Sequence, residues 1–227
     1  MKLTKLIKQE FSNFNKLEKI FFPIVIIIVI FISFLIKDSK IALISAICGI
    51  SYTILAGKGR VSCYFIGITG TICYSYISFI NGLIGQLLLY SLYYLPMEII
   101  GIYKWSKHLK KEEREIVKTK LTKKEIFIYF VGSLILSLIC GLLFKITDDK
   151  QPYIDSFTVV FSVLGQFLTV KRCIEQWYVW SFVNIFSLIM WIIAYINGSN
   201  CFATILMWSV YFVLGIYFLI QWKKEVK

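Results

Sequence analysis

The chain has 227 residues, 58% of them hydrophobic, and a mean hydropathy of +0.74. Soluble domains use about 45–50% apolar residues, and here the excess is gathered into long uncharged blocks, which excludes an ordinary soluble domain. A formal net charge of +12 would suit a nucleic-acid binder, but the basic residues sit between the apolar blocks and favour alternate gaps, which excludes that reading too.

Residues 1–19 place Leu3, Leu6, Ile7, Phe14 and Leu17 near one helical face, with Lys2, Lys5, Lys8, Lys16 and Lys19 around them. This describes a cytoplasmic N-terminus that is either amphipathic, lying on the bilayer surface, or flexible and solvated. The first apolar run, 20–36, starts too late and runs too long for a cleavable signal peptide. It is read as an extra N-terminal transmembrane helix. Spans at 41–57, 61–80 and 84–105 follow and form a first three-helix bundle, 41–105, with the Asn81-Gly82 turn dividing its longest apolar block. A charged cytoplasmic loop covers 106–124, and 125–145 is a linker transmembrane helix. Spans at 153–169, 176–196 and 201–222 make a second three-helix bundle, 153–222, broken at Asn197-Gly198-Ser199-Asn200. Crossing the hydrocarbon takes about 20 apolar residues per helix, and every amide there must be paired inside the chain. A β-barrel would show short alternating segments instead. The expectation is an all-α polytopic membrane protein with eight transmembrane helices.

With that count, 21 of the 25 basic residues fall on one side of the membrane. Lysine and arginine concentrate on the cytoplasmic side, so both termini are expected in the cytoplasm. Self-similarity supports the same division. Phe79-Ile80-Asn81-Gly82 returns as Tyr195-Ile196-Asn197-Gly198, Gly101-Ile102-Tyr103 as Gly215-Ile216-Tyr217, and the basic turn Lys58–Arg60 as Lys171–Arg172. Spans 2–4 and 6–8 therefore repeat with the linker between them, a 3+1+3 core of parallel repeats plus one N-terminal helix. Bundles repeated in this way rock to give alternating access, which favours transport over a non-transporting membrane scaffold or partner subunit.

Span 7 reads Glu175-Gln176-Trp177-Tyr178-Val179-Trp180-Ser181-Phe182-Val183-Asn184. Trp177, Trp180 and Asn184 have i, i+3, i+7 spacing and share a face, with Asn184 near mid-bilayer. Gln166, preceded by Thr158 and Ser162, lies on span 6. Thr69, Tyr90, Tyr94, Ser209 and Tyr211 lie at middle depths on spans 3, 4 and 8. Indole N–H and carboxamide groups at such depth need partners. They either fix a flat heteroaromatic ligand in an apolar cleft or tie helices together. Glu98, after Pro96, is a possible gating or proton site, because an ionisable group inside a span is expensive. It also fits a protonated or snorkelling acid near the helix end. Asp155 opens span 6. The cysteines show no CxxC spacing and read as packing residues. The lone His108 reads as solvated, and no metal site is expected. Phosphate-cradling loops and nucleophile–base pairs are missing from the sequence, so the chain reads as no enzyme, with no cofactor and no nucleic-acid partner.

The run Asp155…Thr158…Ser162…Gln166, then Lys171-Arg172 and Glu175-Gln176-Trp177-Tyr178-Val179-Trp180…Asn184, resembles the PnuC family of nicotinamide riboside (vitamin) transporters. Gly57-Lys58-Gly59-Arg60, Gly67, Gly82, Pro96 and Tyr103-Lys104-Trp105 look like that family's first half. The resemblance covers residues 40–224. It implies a SWEET-like fold in a bacterial cell (inner) membrane and a homo-oligomer, a trimer. It also implies facilitated diffusion of nicotinamide riboside, a precursor for NAD biosynthesis, with trapping by cytoplasmic phosphorylation. By the same resemblance Trp177, Trp180, Asn184 and Gln166 contact the vitamin, and relatives of the same fold carry thiamine or riboflavin.

Overall fold

The computed structural model describes residues 10, 14–35, 37, 39–80, 84–109, 115–146, 151–198 and 202–226. The amphipathic pattern expected before residue 14 lies almost wholly outside the described residues, as do the Asn81-Gly82 turn and Cys201. Eight helical spans are described: α1 (Lys16–Leu35), α2 (Lys40–Gly57), α3 (Ser62–Ile80), α4 (Ile84–Leu88, Leu89–Tyr94 and Leu95–Ser106 in direct succession), α5 (Lys123–Ile146), α6 (Pro152–Lys171), α7 (Glu175–Ile196) and α8 (Phe202–Glu225). Seven of them are single helices long and apolar enough to cross a membrane. Large apolar side chains such as Phe34, Phe127 and Ile196 stand on the outside. In water such a surface would drive aggregation, whereas hydrocarbon chains solvate it at no cost.

The eighth span, α4, departs from the plain helix expected over 84–105. Its middle piece, Leu89–Tyr94, is π-helical, and the Leu95 N–H reaches back five residues to the Tyr90 carbonyl. Pro96 explains the detour. In an α-helix its ring would press on the carbonyl four residues earlier, and it has no N–H to offer. A wider turn just before it relieves the crowding, and such turns recur at functional sites.

The chain forms two compact units, residues 1–117 and 118–227. In the first, α1 packs on α2, α2 on α3 and α3 on α4; in the second, α5 packs on α6, α6 on α7 and α7 on α8. The linker helix α5 thus has its neighbour in α6. The two units share local devices that sequence comparison did not find. α1 opens with a reciprocal capping box: the Glu18 N–H donates to Asn15 Oδ1 at 2.8 Å and the Asn15 N–H to Glu18 Oε2 at 2.7 Å. α5 opens the same way with Thr122 and Glu125, at 3.2 and 2.8 Å. Each capping glutamate then meets the lysine at the far end of the next helix, Glu18 with Lys58 at 3.0 Å and Glu125 with Lys171 at 3.4 Å.

The repeated basic turns have one geometry as well. α2 ends through Gly59 (φ 67°) and α6 through Arg172 (φ 63°), both left-handed. In each, the next N–H bonds five residues back, Arg60 to the Leu55 carbonyl and Cys173 to the Leu168 carbonyl. These are Schellman-type ends that satisfy carbonyls an abrupt stop would orphan. Each left-handed residue offers its own carbonyl to the charged loop: Ile116 donates to Gly59 at 3.0 Å, Thr119 to Arg172 at 2.9 Å. Cys173 is buried in its turn, and burial pushes its thiol above the ordinary range. This agrees with a packing cysteine. The described cysteines Cys48, Cys63, Cys73, Cys140 and Cys173 are all free thiols.

The first unit is centred on Tyr64, fully buried, with its ring 5.0 Å from Trp105 and 5.9 Å from Tyr52. Gly101 faces it so closely that an added Cβ would overlap the Tyr64 ring. In the second unit Phe157, Phe161, Phe182 and Phe186 stack between α6 and α7, at centroid distances from 4.5 to 6.5 Å. Gly101→Val should therefore destabilise the protein by about 1–3 kcal/mol through overpacking, read as a lower thermal midpoint in detergent. Gly132→Ala, where an added Cβ meets nothing within 4 Å, should leave the midpoint unchanged or raised.

Candidate functional site

The aromatic and amide residues of α7 belong to the second unit, and the structure divides them between two neighbours. Trp177 and Asn184, seven residues apart, lie along nearly the same line of the helix, whereas Trp180 is rotated by about 60° from Trp177 and about 40° from Asn184 at about 100° per residue. Trp177 is buried against α8, its ring 5.3 Å from Phe218 and 5.7 Å from Trp222. Asn184, also buried, points toward α8 where Gly215 leaves room: an added Cβ there would lie 3.6 Å from Asn184 Nδ2 and 3.4 Å from Ser181 Oγ. Trp180 turns instead to α6. Its indole lies over Gly165, where a Cβ would come within 2.9 Å of the ring, and its Nε1–H donates to Thr169 Oγ1 at 3.1 Å. The Thr169 hydroxyl in turn donates to the Gly165 carbonyl at 2.8 Å.

Single-face spacing thus overstated how closely the three α7 residues act together. Asn184 sits about 13 Å along its helix from Glu175, with its carboxamide buried. Trp177 also keeps a buried indole N–H with no recorded partner. Gln166 is buried on α6, one residue beyond Gly165. Tyr211 is half-buried, its ring 5.9 Å from Trp208 on the same helix. Gly165, Thr169 and Ser181 were not singled out from sequence. A glycine or hydroxyl in an apolar helix carries no sign of which neighbour it faces.

Three expected residues lie in the first unit. Tyr94, on the π-helical piece, joins a group in which Tyr74 and Tyr90 are 4.4 Å apart, Tyr90 and Tyr94 4.8 Å, and Tyr93 and Tyr94 5.6 Å. Thr69 is exposed and donates to its own helix at the Phe65 carbonyl, 3.2 Å away. It shares its outward stripe with Phe65, Ile72, Tyr76 and Phe79. Thr69 is thus apart from the buried polar groups of α3, among which is Thr71. Thr71 Oγ1 donates to Glu98 Oε1 at 3.0 Å, both side chains buried. Glu98 is not a snorkelling acid at the helix end.

Residues 39–224 match the family described as Nicotinamide mononucleotide transporter. The chain belongs to this family. Among similar proteins, the nicotinamide riboside transporter PnuC of Neisseria mucosa is 32% identical over 195 residues, covering 84% of this chain and 74% of that one. The protein of the same name from Haemophilus influenzae is 28% identical over 230 residues, covering 100% and 99%. A crystal structure of the vitamin B3 transporter PnuC matches the fold with a TM-score of 0.81 at 27% identity, over 96% of this chain and 95% of that one. As a member of the nicotinamide mononucleotide transporter family, the chain is a multi-pass membrane transporter and not an enzyme.

Between α6 and α7 the Trp180 N–H is committed to Thr169, while the Asn184 carboxamide faces α8. Trp180→Phe and Thr169→Val should each lower the thermal midpoint slightly. In a double-mutant cycle their coupling should be about 0.6 kcal/mol, the average for side-chain hydrogen bonds between membrane helices.

Proposed function

We propose that this chain carries nicotinamide riboside across the bacterial inner membrane by facilitated diffusion, with both termini cytoplasmic, and that a cytoplasmic kinase traps the vitamin by phosphorylation. The observation that carries the reading is the buried Asn184 carboxamide, with the Trp180 indole on the same helix, in a chain whose relatives are named nicotinamide riboside transporters. An amide can pair with the ligand's amide or ribose hydroxyls, and tryptophan faces attract a ring cation. A trimer is the assembly that fits the resemblance seen in the sequence.

The family description names the mononucleotide and the relatives' names the riboside, which differ by a phosphate. A phosphate entering a membrane-embedded site needs cationic partners. Arg60 is fully buried and faces Glu115 at 3.8 Å, and the Lys118 side chain, 5% exposed, is paired with Glu225. The uncharged ribose of the riboside fits this chemistry better. Thiamine also carries a ring cation and remains the same-class alternative; riboflavin has none.

The test is uptake of labelled nicotinamide riboside into proteoliposomes without ATP or an imposed ion gradient, competed with the mononucleotide, thiamine and riboflavin. Saturable flux that stops at equal concentrations inside and outside is expected. Lack of saturable flux for any of these compounds would leave a membrane scaffold as the better reading. Asn184→Leu should weaken riboside affinity about tenfold, the equivalent of one lost hydrogen bond to a ligand, while the thermal midpoint of the empty protein stays within a few degrees.

A further inference from the structure

Lys118 lies in the charged loop, one residue ahead of the point where that loop is pinned to the α6–α7 turn. The pin is Thr119. Its N–H donates to the Arg172 carbonyl and its carbonyl accepts from the Ile174 N–H, both at 2.9 Å. Its hydroxyl adds a bond to the Lys171 carbonyl at 3.2 Å. With its neighbour fixed in this way, Lys118 reaches the far end of α8. The ammonium pairs with the Glu225 carboxylate and lies 4.9 Å from the centre of the Trp222 ring. All of these groups belong to the second unit.

The Lys118 side chain is 5% exposed, against 43% for Glu225. An ammonium withdrawn from water is costly unless it is paired. An indole is the best aromatic partner for a cation, and the attraction grows as water is excluded. Lys118 therefore holds the fully buried Trp222 ring in place. Trp222 in turn meets Trp177 edge to face at 5.7 Å, and Phe218 lies 5.3 Å from the same Trp177 ring. The Trp177 N–H is buried and has no hydrogen-bond partner. Such a group is satisfied when a ligand brings an acceptor.

Two other lysines are boxed in a similar way, Lys58 between Glu18 and the Phe14 ring and Lys171 between Glu125 and the Tyr129 ring. Those two meet capping glutamates and tie one helix to the next. Lys118 differs in what it touches. Its ring partner packs on a residue of the vitamin site expected from the sequence.

We propose that Lys118 is a positioning residue for that site: by clamping Trp222 it fixes the rotation of Trp177 and keeps the indole N–H aimed at an acceptor on the ligand. The proposal rests on the transport of nicotinamide riboside argued above. Lys118 itself touches no ligand. The ribose hydroxyls and the carboxamide oxygen of the riboside are acceptors of the class required. Without the charge Trp222 and Trp177 are free to turn, and binding must first reorder two indoles, which lowers affinity. The maximal rate is unaffected, because the ordered state is reached whenever the ligand is bound.

The experiment is calorimetric titration of the purified full chain with nicotinamide riboside, beside uptake rates in proteoliposomes and thermal midpoints. Lys118→Met keeps the apolar stem and removes the charge. It should weaken riboside affinity about tenfold, with the maximal uptake rate and the midpoint of the empty protein close to those of the unmodified chain. Lys118→Arg, whose planar cation can pair with Glu225 and stack on the indole, should restore most of the affinity. Glu225→Gln, at an exposed position, should weaken binding in the same sense. In a Trp222→Leu background Lys118→Met should lower affinity no further, because the ring that transmits the effect is gone. A lower midpoint with unchanged affinity in Lys118→Met would overturn the proposal and leave a purely structural clamp, as would a full second loss of affinity in the Trp222→Leu background. If Lys118→Met does not fold, Glu225→Gln decides, and unchanged affinity there overturns the proposal. Riboside binding by the unmodified chain with no response at 118 or 225 removes this inference alone, whereas no binding by the unmodified chain removes the transport reading with it.

Discussion

A chain embedded in hydrocarbon cannot leave an amide or carbonyl unpaired, and that constraint acts hardest where a helix has to stop. This protein meets it at two matched turns. Gly59 and Arg172 take left-handed conformations, close their helices with five-residue back-bonds, and offer their carbonyls to Ile116 and Thr119 of the charged loop. Within each unit the turn reverses the chain tightly enough for α2 to lie on α3 and α6 on α7. The capping boxes at Asn15 and Thr122, with their glutamates bound to Lys58 and Lys171, fasten the preceding helix to the same end.

The same constraint sorts the polar side chains inside the spans. Hydroxyls in apolar helices most easily donate to the carbonyl four residues back, and Thr53, Thr69, Ser137, Thr169, Ser181 and Ser209 all do. Such residues are satisfied locally and say little about neighbours. The informative bonds are those that leave the helix: Ser156 to the Ser137 carbonyl, Ser45 to the Gly70 carbonyl, Thr71 to Glu98, and Trp180 to Thr169. Two of these four involve residues that the sequence had marked, Glu98 and Trp180.

The two units share their helix-end devices and differ in what their helices pack against. The matched turns at Gly59 and Arg172 are 113 residues apart, which sets Tyr64 against Trp177, and Gly101 and Gly215 stand 114 apart. Yet Gly101 receives the ring of Tyr64, while Gly215 faces Ser181 and Asn184. The first unit packs an aromatic ring against its glycine, and the second packs an amide and a hydroxyl against its own. A shared backbone with different polar groups lets one fold offer two chemically distinct environments.

Length, apolar blocks and turn residues by themselves determined the eight spans, to within a few residues at each end, because the hydrocarbon thickness and the need to pair every amide leave few solutions. They also exposed the Lys58–Arg60 and Lys171–Arg172 turns and the Gly101 and Gly215 positions, since an internal repeat is visible without coordinates. Only the tertiary structure decided which face each polar residue presents to which helix. It separated Trp180 from Trp177 and Asn184, moved interest from Thr69 to Thr71, and placed Glu98 in a polar contact away from any described cation. It also turned the middle of α4 into a π-helix. These outcomes rest on rotations of tens of degrees about a helix axis and on close approaches at glycines. Those are set by packing between helices, to which the hydropathy of a single span is blind.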